Sequence, residues 1–229
     1  MFKQFSKYQI ATAIAIFFHL IGLIGMLIFN RDFFVQSTAF NLLLSAALLV
    51  YTHTDRNKYF YFFAAVAVLV GFSVEVVGVN TGKIFGEYSY GNSLGFKWQG
   101  VPLIIGVNWF IIIYCSGICL HTFLTKIIIR VATDRKEPPM VLKAMSVIMD
   151  GATLAVFFDW LMEPVAIKLG YWKWVGGDIP VYNYICWFIV SFILLAVFHF
   201  SKFNKDNKFA INLLLIQAMF FLVLRTFLK

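Results

Sequence analysis

The sequence predicts an all-α, polytopic membrane helical bundle of about seven transmembrane helices, and three observations predict it. Apolar residues make up 61% of 229 positions, about 140 residues, or seven crossings at ~20 apolar residues each. Charged residues make up only 13%, about half of the roughly 25% usual in soluble domains, and mean hydropathy is +0.83. The apolar residues also gather into seven separate runs. Strand-sized alternating segments are absent and lipid tolerates no open sheet edge, so helices are the expected elements. The chain is read as one transmembrane domain, residues 1–229, with no soluble domain attached.

The first run, residues 9–29, follows Lys3 and Lys7 and imitates a signal peptide. From Ile10 to Phe29 it is longer than a signal h-region and no Ala-x-Ala site follows, so it is read as a retained span. The second and third runs cover 34–51 and 59–79. The fourth, 101–128, exceeds what a bilayer needs and is expected to tilt or to reach into water. The fifth, 141–163, has Pro138 and Pro139 at its start and Pro164 at its expected end. The sixth and seventh cover 181–200 and 209–227.

A net charge of +8 invites a nucleic-acid reading, but Lys and Arg fall singly between apolar runs and form no patch or arm. No nucleic-acid partner is expected; the partners are membrane lipids. Twelve of the 19 basic residues lie on the N-terminal side of the predicted topology and seven, Arg31, Lys83, Lys97, Lys168, Lys173, Arg225 and Lys229, on the other. The positive-inside bias then makes the N-terminus cytoplasmic and the C-terminus external; a bacterial cytoplasmic membrane is the expected location. Cys115, Cys119 and Cys186 all sit in apolar runs and read as small core residues.

Two loops stand out. Residues 80–100 contain Gly86-x-Tyr88-x-Tyr90, and residues 164–180 contain Gly170-x-Trp172-x-Trp174. Each is followed by a proline with a Trp seven residues on, Pro102 with Trp109 and Pro180 with Trp187. Helices 3–4 and 5–6 thus read either as a parallel internal repeat or as two ordinary interfacial aromatic belts.

Ionisable groups inside spans cost roughly 2.5–3.5 kcal/mol each on insertion scales, so they read as functional by default. The candidates are Glu75 in the third run and Asp159 and Glu163 in the fifth. Asp159 and Glu163 are four residues apart and share a helix face. Asp150, nine residues before Asp159, points elsewhere. If the third and fifth helices pack together, the three carboxyls converge near the external side. Carboxyls that crowd one buried site cannot all be ionised, so one keeps a proton beside another that has lost its own, the condition for general acid–base work. Pairing with loop lysines or helix capping is the bland alternative. Asn80, Thr81, Asn108 and Asn183 are polar companions able to hold water or to bond a neighbouring helix. Tyr88, Tyr90, Trp98, Trp109, Trp172, Trp174 and Trp187 cluster by sequence around the carboxyls, where ring faces can stabilise a cation.

Other classes lose support. His19, His53, His121 and His199 form no HxxxH pair, so metal binding is not indicated. No Lys sits in the middle of the seventh run, where a retinal Schiff base would form. No Asp-rich DDxxD-like stretch offers a diphosphate site, and neither GxGxxG nor a Walker A loop implies a nucleotide or flavin.

Glu75-x-x-Gly78-x-x-Thr81-Gly82-x-x-Phe85-Gly86-x-Tyr88-x-Tyr90, then Gly100-Val101-Pro102 and Asn108-Trp109, resembles the CruF-type carotenoid 1,2-hydratase family of membrane carotenoid-biosynthesis proteins. Asp159-x-x-x-Glu163-Pro164, Gly170-x-Trp172-x-Trp174, Pro180, Asn183 and Trp187 agree with it. The likeness covers about residues 71–190. It implies addition of water across the terminal 1,2 double bond of an acyclic carotenoid end group, on γ-carotene-like, lycopene-like or bisanhydrobacterioruberin substrates dissolved in lipid. Other carotenoid-pathway enzymes become possible partners. Protonating the alkene at C2 leaves a tertiary cation at C1 that water captures, with no redox cofactor or metal needed. On that reading Glu75 is the expected proton donor and Asp159 or Glu163 the partner that activates water. Asn108 and Asn183 position the water, and Tyr88, Tyr90, Trp109, Trp172 and Trp187 surround the substrate. A cofactor-free carotenoid cyclase or isomerase, and a proton-coupled transporter, remain the alternatives.

Overall fold

The computed structural model describes residues 5–128 and 139–228. Among them, seven helices are long and apolar enough to cross a membrane: Lys7–Ile28, Arg31–Thr52, Lys58–Thr81, Ile104–Thr125, Val141–Lys168, Val181–Phe200 and Lys208–Phe227. These are the seven expected spans, and the chain is an integral membrane protein. Lys3, Arg130, Arg135, Lys136 and Lys229, which enter the predicted orientation, and Pro138, a predicted helix boundary, lie outside the described residues.

Short polar side chains start the helices. Ser6 forms a reciprocal capping box with Gln9, and Asn30, Asn57 and Asn207 accept from backbone N–H groups of the first turns that follow them, groups that have no partner within the helix. The second span is interrupted at Ser37, between helical segments Arg31–Gln36 and Thr38–Thr52. The fourth begins at Ile104, later than its apolar run, because Val101–Pro102 pairs as a strand instead. Its far end passes into a π-helical turn, Phe123–Ile128.

The fifth span does not end at Pro164. It continues to Lys168 with Pro164 inside it. A proline there removes the N–H that would bond the carbonyl of Trp160. Arg225 of the seventh span replaces it: its Nη1 donates to Trp160 O at 3.1 Å, and its guanidinium lies 4.1 Å from the centre of the Trp160 ring. Replacing Arg225 by Met should therefore cost about 0.5–1.5 kcal/mol, the net worth of one hydrogen bond. Pro164→Ala restores the missing N–H, so in that background the same replacement should cost less. Thermal unfolding of the four chains in detergent measures the coupling, and strictly additive losses would refute the substitution of one donor for the other.

Among the described residues four short strands, none expected from the sequence, order the loops: β1 (Tyr88–Tyr90), β2 (Lys97–Trp98), β3 (Val101–Pro102) and β4 (Trp172–Trp174). β2 and β3 form a hairpin turned by Gln99 and Gly100, both at positive φ, the requirement of a two-residue turn that matches strand twist. β1 and β4 come from different loops and pair antiparallel, Tyr88 with Trp174, Ser89 with Lys173 and Tyr90 with Trp172.

The helices that carry the two motifs pack in neighbouring pairs. The third span packs chiefly on the fourth, the fifth on the sixth, and the fourth also lies against the fifth. The two motifs meet reciprocally: Tyr88 faces Trp174 and Tyr90 faces Trp172, and Trp109 stacks on Trp187 with centroids 3.9 Å apart and planes 14° from parallel. A contact in which i meets j and the counterpart of j meets the counterpart of i is the mark of a two-fold relation. The fourth span is the most deeply buried, from Trp109 through Ile118. Its middle is held by His53, whose Nδ1 lies 2.7 Å from the Tyr114 hydroxyl. Burial pushes the His53 imidazole down to about 4, so the ring is neutral.

Candidate active site

The third span ends at Gly82, in the left-handed conformation, and the chain turns back over its own last turns. This return carries β1 above Glu75. Residues two apart in a strand point the same way, so Tyr88 and Tyr90 both face inward. Their hydroxyls donate to Glu75 Oε2 at 2.5 and 2.7 Å, and Trp109 Nε1 donates to Oε1 at 3.0 Å. Burial and then the nearby Glu75 charge push both phenols well above their ordinary range, so each remains an O–H donor at neutral pH. Gly71 makes the Trp109 contact possible: a Cβ there would lie 2.4 Å from both Cβ and Cγ of Trp109.

The second motif builds the facing half. Asp159 and Glu163, 1% and 3% exposed, lie on one face of the fifth span. Trp172 and Trp174, on the inward face of β4, donate their Nε1 hydrogens to Glu163 Oε2 at 2.9 and 3.0 Å. Asn183 Nδ2 donates to Asp159 Oδ2 at 2.9 Å and makes a longer, weaker approach to Glu163 Oε1 at 3.4 Å. Asp159 Oδ1 is buried and has no hydrogen-bond partner among the described residues.

The ten residues given catalytic or substrate-binding roles from the sequence, Glu75, Tyr88, Tyr90, Asn108, Trp109, Asp159, Glu163, Trp172, Asn183 and Trp187, line one pocket, whereas Trp98 stacks on Phe72 outside it. They meet by a route other than the expected one. The third and fifth spans take other helices as their main neighbours, and the fourth span and the β1–β4 ladder bridge them. Asp150 stands apart, exposed and accepting from Ser146. Asn80 is outside as well, donating to Val76 O and Gln99 O, and Thr81 bonds back to Val77 O. Phe85, Ile105, Met162 and Trp174 also line the pocket. Trp174 carried a signal, as the second aromatic of its motif. Phe85 holds a positive φ of 68°, which a non-glycine residue adopts at a cost of order 1–3 kcal/mol, and nothing in its identity announces that.

The pocket measures about 20 Å³, room for about one water molecule. Its donors are phenols, indoles and one amide, and none of the three carboxyls accepts from Lys or Arg among the described residues. The walls include the stacked Trp109–Trp187 pair. Such a site suits a transient cation: three acids without a bound countercharge, and ring faces that attract positive charge.

No solved structure matches this chain. Over 137 residues the chain is 23% identical to a protein named bisanhydrobacterioruberin hydratase from Haloarcula japonica. The matched stretch covers 58% of this chain and 42% of that relative's length, so it leaves more than half of the relative uncovered. Residues 36–229 match the family described as carotenoid biosynthesis protein, and the chain belongs to that family.

Proposed function

We propose that the protein is a carotenoid hydratase that adds water across the terminal 1,2 double bond of an acyclic carotenoid end group. The observation that carries this reading is Asp159 Oδ1, a buried carboxyl oxygen with no hydrogen-bond partner among the described residues, on a residue that lines a pocket with room for about one water. An oxygen already held by donors must give up a bond before it reacts. Both oxygens of Glu75 and Oε2 of Glu163 are held in this way, so Asp159 is favoured over Glu75 as the proton donor.

In the proposed reaction Asp159 protonates C2 of the alkene and the positive charge develops on C1. The Trp109–Trp187 stack, Trp172 and the Glu75 and Glu163 carboxyls stabilise that charge. A water held by Asn183 and Asn108 attacks C1, its lone pair forming the C–O bond, and its surplus proton returns to the Asp159–Glu163 pair. The balance is one alkene and one water in, one tertiary alcohol out. Tyr88 and Tyr90 fix the Glu75 carboxyl and stay outside the proton path. The whole chain acts as one transmembrane unit in a bacterial cytoplasmic membrane with its N-terminus cytoplasmic, which puts the pocket toward the external face.

Expression in a host that accumulates lycopene or γ-carotene tests the reading by pigment mass. The expected product is one water heavier than the host pigment. An isomer of unchanged mass would point to a cyclase. Unaltered pigment in every acyclic background would remove the proposal.

A further inference from the structure

We propose that a second cavity, walled by the first, second and seventh spans, receives the isoprenoid end of the carotenoid, and that Asn108 is the threshold between it and the acid pocket. This rests on the hydratase reading above. The acid pocket, about 20 Å³, holds a water but no alkene end, so the substrate must arrive from an adjoining space. The adjoining space is a cavity of about 240 Å³, and Asn108 is the residue that lines both. The Asn108 side chain makes no hydrogen bond among the described residues and is half-buried, as a residue at a neck would be.

The occupant is a hydrocarbon chain for two reasons. The walls are chiefly aromatic and aliphatic side chains of three membrane spans. The lining residues Phe33 and Phe40 are 61% and 59% exposed, so the cavity opens on the side of the bundle that meets lipid, where a carotenoid is dissolved and a polar solute is not. The second span breaks its helix at Ser37 within this wall, and the neighbouring Thr38 bonds the Tyr171 hydroxyl at 2.5 Å. That bond pins the wall to the residue next to Trp172, so the chamber is registered against the acid site.

Gly22 supplies the test. A Cβ there meets Phe220 at 3.7 Å, an ordinary contact, so the backbone tolerates a side chain, and Phe fills the chamber. Wild type and Gly22→Phe are purified from a lycopene-accumulating host, and retained pigment per protein is read by visible absorbance alongside conversion. Wild type should retain pigment and convert it; Gly22→Phe should lose both at least tenfold while unfolding at a similar temperature. Ile21→Trp, at the exposed rim, should do the same and serves if Gly22→Phe fails to fold. Asn108→Trp should retain pigment but not convert it. Pigment lost in Gly22→Phe without hydration by wild type would sink the hydratase reading and leave the chamber standing. Colourless wild type, or full retention by a folded Gly22→Phe or Ile21→Trp chain, overturns the chamber.

Discussion

Asp159→Asn leaves carotenoid unhydrated in a host where the wild-type chain converts it, with a loss of about 10²–10⁴-fold, the usual worth of a positioned acid. The substitution is chosen because it should change little else. Asn carries the same number of heavy atoms, and its Oδ1 can keep the bond from Asn183 that Asp159 Oδ2 accepts at 2.9 Å. Its amide nitrogen then takes the place of the unpartnered oxygen, and an amide has no proton acidic enough to give to an alkene. Glu75→Gln is the comparison. Trp109 Nε1 can only donate, so the Gln oxygen stays on it; the Gln nitrogen turns toward Tyr88 and Tyr90, whose hydroxyl oxygens can accept. That chain should fold and should lose the carboxyl without losing its scaffold, so its conversion falls less than that of Asp159→Asn. Pigment mass analysis of both chains decides the donor: activity abolished in Glu75→Gln and kept in Asp159→Asn would return the role to Glu75, as the sequence favours.

The unequal legibility of the molecule has physical causes. Seven spans could be read because lipid enforces one pattern, a long apolar run, and every run kept that pattern within a few residues. The boundaries that moved did so where a distant partner took over a local task. Pro164 reads as a stop, and Arg225, sixty-one residues on, satisfies the carbonyl that a stop would have left in water. Val101 and Pro102 read as span, and pairing with Lys97 and Trp98 holds them in a hairpin. The pocket residues were legible because carboxyls in spans are costly and the two aromatic motifs repeat. How they meet was not. The β1–β4 pairing joins loops 84 residues apart through strands of three residues, too short to show a period, and the fourth span rather than a direct third–fifth contact carries the two halves together. Gly22 and the chamber left no trace at all, since small and aromatic residues in an outer span look alike whether they face lipid or a ligand.

Gly71→Ala should damage both stability and conversion, although it adds one methyl group and touches no acid. The new Cβ would lie 2.4 Å from Cβ and Cγ of Trp109, atoms fixed to the fourth span that cannot swing aside as the tip of a long side chain can. The indole has no free direction: Trp187 is stacked on one face and Phe85 is tilted against it at 6.3 Å between centroids. The helices must part or the ring must tilt, and either movement draws Nε1 away from Glu75 Oε1. Overpacking costs about 1–3 kcal/mol, and losing a buried hydrogen bond to an acid adds about 1.5–3 kcal/mol. Trp109→Phe removes the same bond without the clash. The two substitutions should therefore lower conversion by similar factors and, combined, lower it little further, because both act through one contact. Their effects on unfolding temperature should differ, since the Ala methyl still strikes Cβ and Cγ of a phenylalanine. If conversion losses multiplied in the double variant, the Trp109–Glu75 bond would not be the link between this glycine and the reaction.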